Sequence, residues 1–530
     1  MATACIAQTT FRFHEISRPI VARFDQPHAS SDGGAVLLKA VDDRLGLTAT
    51  LAAAIWDPRQ PGKISHSIAD LLRQRVFGLA CGYADCNDAA RVMSDPGHKL
   101  VVGRDPLTGD PLGSQPTLSR FENAATTRDL YRLGTALAGT VLDFHQTRLG
   151  GAARLITIDV DATEDPTHGH QQFTFFNAFY DTWCYLPLLA TVAFDDERDQ
   201  YLVATLLRPG TGPATRGVRG LLRRLVAALR ARFPRPRLRV RLDAGFTHPT
   251  LLDWLEAEGL EYVIGVPSNP RLAKRVRRLR GRARVLARAT GETIPLYGET
   301  RYAAKKWSHR RRIIMKAEAL RYPGRATKDN CRFVVTNLRF SPTMVYAIYC
   351  ERGDMENRIK ELKAGLAMDR TSCSRFGANQ LRLLLSAAAF VLFQTMQTYA
   401  HGTVLADAQV GTLRDRLLKV AVWIERSARR IVLHLGLAPV FPVARPVAAA
   451  RRGGRRDVRA ASSVRSPRDP GTGVSTGDEP LIGRGVVVAP LGRVNRNWPA
   501  RSDVTHPQLV AASHLRVARH RSSTFVNRAG

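Results

Sequence analysis

The chain has 530 residues, 44% of them apolar, so it is too long for one ordinary core and too apolar to be disordered over most of its length. Its formal net charge of +33 favours a polyanionic partner, of which nucleic acid is the commonest. An acidic membrane surface, or charge that only aids solubility, is the alternative explanation.

Cysteine usage and hydropathy indicate the compartment. Only Cys81 and Cys86 lie close together, and no second pair or His cluster follows at zinc spacing, so we expect a reduced protein without structural zinc. The N-terminus shows no export signal. The longest apolar run, Leu383 to Phe393, is too short to span a bilayer and predicts a buried helix. These features favour a cytoplasmic protein without a membrane partner.

Residues 1–150 are predicted to be mainly helical after an irregular start. Apolar residues recur at helical spacing from Ser67 to Met93, and the segment Ser114 to Glu122 has the pattern of a helix start. We expect a DNA-binding domain here. A plain helical scaffold explains the pattern equally well.

From Leu155 the pattern changes to an α/β alternation. Apolar and β-branched runs predict strands at Leu155–Val160, Tyr185–Phe194, Tyr201–Leu207, Leu238–Leu242 and Tyr262–Val266. Helical spacing predicts helices at Arg216–Phe233 and Pro249–Glu258. The order favours an α/β layer fold with a mixed sheet, in which reactive groups gather at strand ends.

Residues 267–345 interrupt this core. The segment Arg271–Gly291 holds nine Lys or Arg and no acidic residue, and strand-like pieces follow at Arg312–Lys316 and Phe333–Val335. A run of like charge is usually a solvated face. Because this run lies between two candidate catalytic acids, we favour contact with DNA.

Helices are predicted to resume from Gly353 to about Leu437, and the composition changes again from residue 441. Residues 441–530 contain 16 Arg, 5 acidic residues and no Lys, with no sustained periodicity. We expect a disordered tail that is dispensable for chemistry. It is explained either by a basic segment that adds nonspecific DNA affinity or by translation in a shifted frame, since GC-rich codons yield Arg and almost never Lys.

Three acidic residues stand at positions suited to a hard metal ion. Asp159 and Asp161 share one face at the end of the first strand, and Asp243 ends a later strand just before Gly245, which permits a sharp turn. Carboxylates are the ligands that Mg²⁺ prefers. A turn residue or a helix cap is the alternative role of each acid.

The segment Tyr349 to Lys363 carries the strongest local signal. On an ideal α-helix, Arg352, Glu356 and Lys363 fall within about 40° of one another, and Tyr349 within about 60° of Arg352. This pattern is typical of a metal-binding acid flanked by phosphate-binding cations. An exposed helix with ordinary ion pairs explains the charges but not the tyrosine.

The spacing of Tyr349, Arg352, Glu356 and Lys363 resembles the Y-R-E-K signature of bacterial insertion-sequence DDE transposases, the group that releases its element through a DNA hairpin. Asp161-Ala-Thr163 resembles the first acid of that family and Asp243 the second. The blocks Asp159–Gly169 and Tyr185–Pro187 resemble one bacterial subgroup, and the resemblance covers roughly residues 10–440.

The resemblance implies an RNase H-like catalytic domain over residues 151–400, with a mostly β insertion at about 267–345, followed by a C-terminal helical segment at 401–440. It implies that Asp161, Asp243 and Glu356 are the catalytic, metal-binding residues for Mg²⁺, with Mn²⁺ as a substitute. Tyr349, Arg352 and Lys363 would hold the terminal phosphates. The implied partners are the terminal inverted repeats, target DNA and a second copy in a homodimer, in a nucleoid-associated protein.

Several alternatives stay open on the sequence. Asp159 is the alternative first acid, and His168 and His170 are expected to make local hydrogen bonds. Trp307, beside Lys305 and Lys306 in the insertion, would fill the gap left by an unstacked base or would only pack in the core. An RNase H-like nuclease and a non-catalytic DNA-binding protein are the alternative functions.

Overall fold

A computed structural model of the chain describes residues 8–23, 25–322 and 326–436. The tail predicted from residue 441 lies outside the described residues, so both of its explanations stay untested. The six cysteines within the described residues are free thiols.

The region before residue 150 is mainly helical, as predicted. The pattern from Ser67 to Met93 forms two helices, because Gly82 has φ +95° and Asp85 then caps a new start with its side chain. Capping boxes at Ser67 and Thr126 fix two other helix starts. The elements are β1 (Gln8–Phe11), β2 (Ile20–Arg23), β3 (Ala29–Ser30), α1 (Ala35–Leu45), α2 (Leu47–Ala54), α3 (Ile68–Ala80), α4 (Cys86–Arg91), α5 (Pro96–Val102), α6 (Gln115–Ala124) and α7 (Thr127–Leu149).

A large mixed sheet follows, as the α/β alternation predicts. Its elements are β4 (Leu155–Ala162), β5 (Asp165–Pro166), β6 (Phe175–Asn177), β7 (Thr182–Tyr185), β8 (Leu188–Phe194), β9 (Tyr201–Leu206), α8 (Val218–Arg232), β10 (Arg237–Leu242), α9 (Pro249–Ala257) and β11 (Glu261–Val266). Strands β4, β10 and β11 are parallel, while β8 and β9 run antiparallel to their neighbours. The order across these five is β11-β10-β4-β8-β9.

One predicted strand is divided in two. The run Tyr185–Phe194 contains Pro187, and the chain changes sheets there: β8 joins the large sheet, whereas β7 pairs with β5 and β6 in a small one. Proline lacks the N–H that a central strand donates to its ladder, which explains the break.

The interruption at 267–345 contains both predicted strand segments, but it also contains a long helix that the prediction of a mostly β insertion does not include. Its elements are α10 (Pro270–Thr290), β12 (Leu296–Tyr302), β13 (Arg311–Leu320), β14 (Lys328–Thr336) and the start of α11 (Pro342–Cys350). Leu272, Val276, Ala283 and Ala287 form a buried stripe along the basic α10, which packs on β13. The three strands extend the large sheet beyond β11.

The C-terminal segment at 401–440 is also not wholly helical. After α12 (Gly353–Lys360) and α13 (Phe376–Tyr399) come the short α14 (Val410–Leu413), a π-helical turn, and then a hairpin of β15 (Val422–Arg426) and β16 (Ile431–Leu435). Val422 and Ile424 are buried while Trp423 is exposed, a period of two that favours a strand. Pairing of β15 with β3 completes this small sheet.

Helix α13 contains the apolar run Leu383–Phe393, and the prediction of a buried helix is confirmed. By length and composition alone this helix could cross a membrane, but 83% of its most apolar window is buried inside the protein. Helices α3, α6 and α7 pack against α13 on one side and β9 packs on it as well. One continuous cluster of buried apolar residues therefore links the N-terminal helices to the sheet.

Candidate active site

The carboxyl ends of two parallel strands bring the first two candidate acids together. Strands β4 and β10 pair in register from Leu155 with Arg237 to Val160 with Leu242. One more step along both strands places Asp161 beside Asp243, at the separation of neighbouring strands, about 5 Å. Asp243 also caps a 3₁₀ turn, accepting a hydrogen bond of 2.9 Å from the Gly245 N–H.

Asp159 lies on the same face of β4 but is already neutralised. It is fully buried, and its two carboxylate oxygens accept hydrogen bonds of 2.8 and 2.7 Å from Arg241. Arg241 continues to Glu351 at 2.6 Å, on the turn that precedes α12. This bidentate pair joins β4, β10 and that turn, and it engages both oxygens of Asp159 in a buried ion pair.

Asp161 and Glu356 are joined by one guanidinium group. Arg352 donates to Asp161 at 2.6 Å and to Glu356 at 3.2 Å. Burial raises the pKa of Asp161 to about 6; the Arg352 guanidinium offsets only part of this shift, and Asp243 adds to it. Three carboxylates, those of Asp161, Asp243 and Glu356, lie beside this one arginine.

The helix that carries the Tyr-Arg-Glu-Lys set is not straight. Helix α11 ends at Cys350, and the Arg352 N–H bonds back to the carbonyl of Tyr349, three residues earlier. After α12 the chain makes a π-helical turn, Glu361–Gly365, which contains Lys363. Because of these two irregularities, the four residues are not presented on one face of a straight helix. π-Helical turns often occur at functional sites.

Tyr349 and Lys363 reach different sides of the acids. A Cβ atom on Gly265 would lie 2.7 Å from the Tyr349 hydroxyl and 2.8 Å from the Ala244 nitrogen, so the missing side chain lets Tyr349 approach the turn after Asp243. Burial raises the pKa of Tyr349, and nearby Arg352 opposes the shift. Lys363 instead donates to Glu164 at 2.7 Å, three residues beyond Asp161.

The side chains at this edge fit a hard divalent cation by their chemistry. Asp161, Asp243 and Glu356 offer only carboxylate oxygens, which suit Mg²⁺ or Mn²⁺. Among the described residues, the ligand atoms of these three acids do not all lie within 4.8 Å of one another. Two other sets of side chains do lie that close: Asp32, Cys81 and His98, and Asp253, Glu256 and His309. The Arg352 side chain lies between Asp161 and Glu356, so it must move for both acids to hold one ion.

A comparison with known families agrees with this constellation. Residues 14–450 match the family described as transposase DDE domain group 1. The chain belongs to this family of DDE transposases. No curated protein gave a significant match. Family membership makes the chain an enzyme of DNA transposition that binds DNA.

The structure does not bring Trp307 to the acids of the transposase. Thr336 in β14 pairs both with Val263 of β11 and with Arg312 of β13, so the loop 303–310 emerges at the amino end of β11. The acids lie at the opposite, carboxyl end. Lys305 and Lys306 are exposed on the same loop as Trp307, so they also lie at the end of the sheet opposite the acids.

Trp307 instead packs within the insertion. Its ring meets Tyr302 edge-on at 5.6 Å, and the Arg311 guanidinium lies over it at 5.5 Å. Arg311 in turn donates to Asp253 at 2.6 Å and to Glu256 at 2.7 Å. These contacts support the packing role, because Tyr302 and Arg311 both belong to the insertion and the indole also packs against the apolar core.

Sequence reasoning missed two features of the site. Glu164 is the partner of Lys363, and Tyr180 lies near Asp161, Asp243 and Glu164, whose charges add to the effect of burial in raising its pKa. The aromatic run from Phe173 to Phe179 was the signal that could have identified this neighbourhood. His168 and His170 are exposed and belong to neither metal-ligand group in the described residues.

Proposed function

We propose that this transposase moves an insertion sequence by metal-dependent cut-and-paste chemistry, with Asp161, Asp243 and Glu356 as the metal ligands. The observation that carries the proposal is the pair of aspartates at adjacent strand ends, joined through Arg352 to Glu356. Asp161 is chosen over Asp159 because Asp159 is fully buried in a bidentate pair with Arg241, whereas Asp161 lies beside Asp243 at the strand end.

An RNase H-like core is part of the same proposal. Five strands in the order β11-β10-β4-β8-β9, three parallel and two antiparallel, support it. The first and fourth strands of this core in chain order, β4 and β10, end at the acids. Residues 267–345 then form an insertion between the fifth strand and the helix that carries Glu356.

The proposed chemistry divides between metal and protein. Bound Mg²⁺ or Mn²⁺ would supply charge to ionise an attacking water and to stabilise the departing oxygen. Water first opens one strand at the end of the element. The freed 3′-hydroxyl then attacks the opposite strand, forming one phosphorus–oxygen bond as another breaks, and leaves a hairpin.

The cations beside the acids have a role that follows from their contacts. Arg352 and Lys363 each pair with a carboxylate, Asp161 and Glu164 respectively, and would exchange that partner for a DNA phosphate. Tyr349 would donate its hydroxyl to the same phosphate group. Together they place positive charge where negative charge accumulates during phosphoryl transfer.

The path of the duplex is proposed to follow an arm formed by α10 and β12 to β14. Strands β13 and β14 continue from the level of Val266 to the pair Leu320–Lys328, beyond the carboxyl edge of β11. Helix α10 runs along this arm, with Arg284 bonded to Asp329 near its tip. Its exposed cations are Arg271, Lys274, Arg275, Arg277, Arg278, Arg282, Arg284 and Arg288.

Terminal inverted repeats, target DNA and a homodimer on paired ends complete the proposal, with the helices of residues 1–150 contributing to recognition of the ends. Cleavage of a DNA fragment that carries the flanking inverted repeats tests it. We expect nicks and hairpins in Mg²⁺ or Mn²⁺ and none in EDTA. Undiminished cleavage in EDTA would refute metal dependence, and nicks without hairpins or joining would indicate a nuclease.

Salt dependence tests the basic arm separately. Lys and Arg displace condensed counterions from DNA, so affinity should fall steeply and linearly on a log–log plot against salt. Replacing Arg277, Arg278 and Arg282 with Gln should make the slope shallower by about one unit for each DNA phosphate that the variant no longer neutralises. An unchanged slope in this variant would place the duplex elsewhere.

A further inference from the structure

A small sheet beside the acids exposes an unusual number of aromatic rings. We call residues 163–187, which form β5, β7 and β6 between β4 and β8, the aromatic flap. Large apolar side chains are normally scattered singly on a surface, and a contiguous exposed patch marks a contact site. Five rings of the flap are between 40% and 87% exposed: Phe173, Phe175, Phe176, Phe179 and Trp183.

The flap is held in place by hydrogen bonds, so these rings are presented by an ordered backbone. Gln172 donates its N–H to Ser374 at 2.9 Å, and the Tyr185 hydroxyl donates to the Gln172 carbonyl at 2.7 Å. Asn177 donates its side-chain amide to Gly210 at 2.9 Å. A Cβ atom on Gly210 would overlap the Cys184 carbonyl oxygen, so the loop after β9 fits tightly beneath the flap.

The flap begins and ends close to the catalytic acids. Asp161 lies two positions before the first residue of the flap, and Lys363 donates to Glu164 within it. Tyr180 lies within the electrostatic influence of Asp161 and Asp243. The Phe179 ring stands edge-on to Tyr180 at 4.8 Å and is 87% exposed, so an open aromatic surface adjoins Tyr180.

The charge of the flap selects the kind of partner. The chain contains 79 Lys and Arg, yet none lies between Ala162 and Pro187. Duplex DNA presents phosphates on its outside and is normally met by cations. Bases expose their flat faces only when they are unpaired, and they then stack on aromatic side chains while nearby cations meet the backbone. The flap supplies the aromatic rings, and Arg352 and Lys363 beside it supply the cations.

We propose that the aromatic flap binds unpaired bases at the DNA end, beside the phosphate held by Arg352 and Lys363. This inference rests on the proposed transposase function and adds a substrate class to it: a strand end whose terminal bases have left the duplex. Phe179 and Trp183 supply the principal stacking surfaces, because they carry large exposed faces on the two sides of the Phe179–Trp183 turn.

Binding of single-stranded oligo(dT) of 12 nucleotides, compared with a 12-base-pair duplex, tests the proposal in the full-length protein without knowledge of the recognised repeat. Fluorescence anisotropy in EDTA gives both affinities. Phe179→Ala and Trp183→Ala should each weaken single-strand binding about 5-fold or more. The matched control is Trp423→Ala, which removes another exposed tryptophan, at 42%, from β15.

Photo-cross-linking with 5-iodouracil in the same oligonucleotide gives a second readout, and the cross-linked peptide should contain residues of the flap. Unchanged single-strand affinity in both flap variants, or equal loss of single-strand and duplex affinity, would overturn the inference. A shift from dimer to monomer in light scattering with unchanged single-strand affinity would assign the flap to contact between copies.

Two failures are distinguishable in this design. If the wild-type protein does not cleave its inverted repeats in Mg²⁺, the proposed function fails, whatever the flap binds. If the wild-type protein cleaves and the flap variants bind single strands as tightly as it does, only the flap inference fails.

Discussion

The two edges of the large sheet both carry an arginine between two carboxylates, and they differ in charge balance. At the carboxyl edge Arg352 joins Asp161 and Glu356. At the amino edge Arg311 joins Asp253 and Glu256. The same residue types thus occur at comparable distances in two places, only one of which follows the ends of parallel strands.

The pKa shifts of the acids distinguish these edges. Hydrogen bonds from Ser308 and Arg311 hold the pKa of Asp253 below its usual value. Burial works against ionisation of Glu256, yet bonds from Arg311 and Tyr262 still leave its pKa lowered. At the carboxyl edge burial dominates and raises the pKa of Asp161 to about 6.

Because both edges carry such a cluster, a group of acids and cations does not by itself mark an active site. At the amino edge Arg311 pairs with both carboxylates and ties the insertion to α9, although its Nη1 atom is buried without a hydrogen-bond partner. The carboxyl edge keeps a buried acid that its own arginine does not fully stabilise, and such perturbed groups concentrate at functional sites. We expect the carboxyl edge to bind a cation and the amino edge to contribute only to the stability of the fold.

The largest effect is expected from the three acids. Asp161→Ala, Asp243→Ala and Glu356→Ala should each reduce cleavage of the inverted repeats to background while leaving DNA affinity largely intact, because the metal ligands are removed but the basic surface is kept. Asp253→Ala is the matched control and should cleave normally. Near-normal nicking by Asp243→Ala in Mg²⁺ would show that the assignment is wrong.

A smaller loss is expected from the cations of the carboxyl edge. Arg352→Ala and Lys363→Ala should slow hairpin formation roughly 10- to 100-fold, since each removes a charge-assisted hydrogen bond to phosphate worth about 1.5–3 kcal/mol. Arg311→Ala should lower the unfolding temperature instead, with the rate of hairpin formation unchanged in the folded protein. Equal loss of all steps, including binding, would indicate a generic electrostatic role for Arg352 and Lys363.

The free energy of unfolding of the metal-free protein should reflect the difference between the acids of the two edges. The pKa of Asp161 is raised in the folded state, so the stability that its protonated form contributes is present below about pH 4 and is lost as the pH rises through about 6. Asp161→Asn should therefore stabilise the protein in EDTA by roughly 1–3 kcal/mol at pH 7.5, and by less at pH 5.

Urea unfolding at the two pH values measures this effect, and Asp253→Asn is its counterpart. The pKa of Asp253 is lowered, so that variant should be neutral or destabilising at both pH values. A stabilising Asp253→Asn together with a neutral Asp161→Asn would reverse the assignment of the two edges.

The smallest effect on chemistry is expected from Trp307. Trp307→Ala removes packing against Tyr302 and Arg311, so it should lower the unfolding temperature while cleavage and hairpin formation stay near the wild-type rate. A fluorescent base analogue near the cut end should report the same unstacking as in the wild type. Reduced unstacking in this variant would show that Trp307 contacts the DNA end although it lies at the amino edge.

Local sequence pattern was sufficient for the elements that matter most to the site. Alternation and apolar runs predicted the strands that end at Asp161 and Asp243, because a buried strand followed by an acid is visible within about ten residues. The spacing of Tyr349, Arg352, Glu356 and Lys363 selected the third acid, although the helix bends at Arg352 and again in a π-helical turn.

Other features depended on contacts between distant parts of the chain. The hairpin of β15 and β16 was predicted as helix, and it pairs with β3 nearly 400 residues earlier. The apolar stripe of α10 was hidden among nine cations and is stabilised by packing on β13. Long-range pairing of this kind overrides local preference.

The sequence by itself determined which residues could do the chemistry: three acids at strand ends or on a cationic helix, and a chain whose charge suits DNA. Only the tertiary structure decided which of them are free to do it. Asp159 and Asp161 are equivalent in the sequence, two residues apart on the same face, and a single arginine on the neighbouring strand separates them. Strand register decides the matter, because it aligns Arg241 with Asp159 and places the next acid of each strand, Asp161 and Asp243, side by side at the end of the sheet.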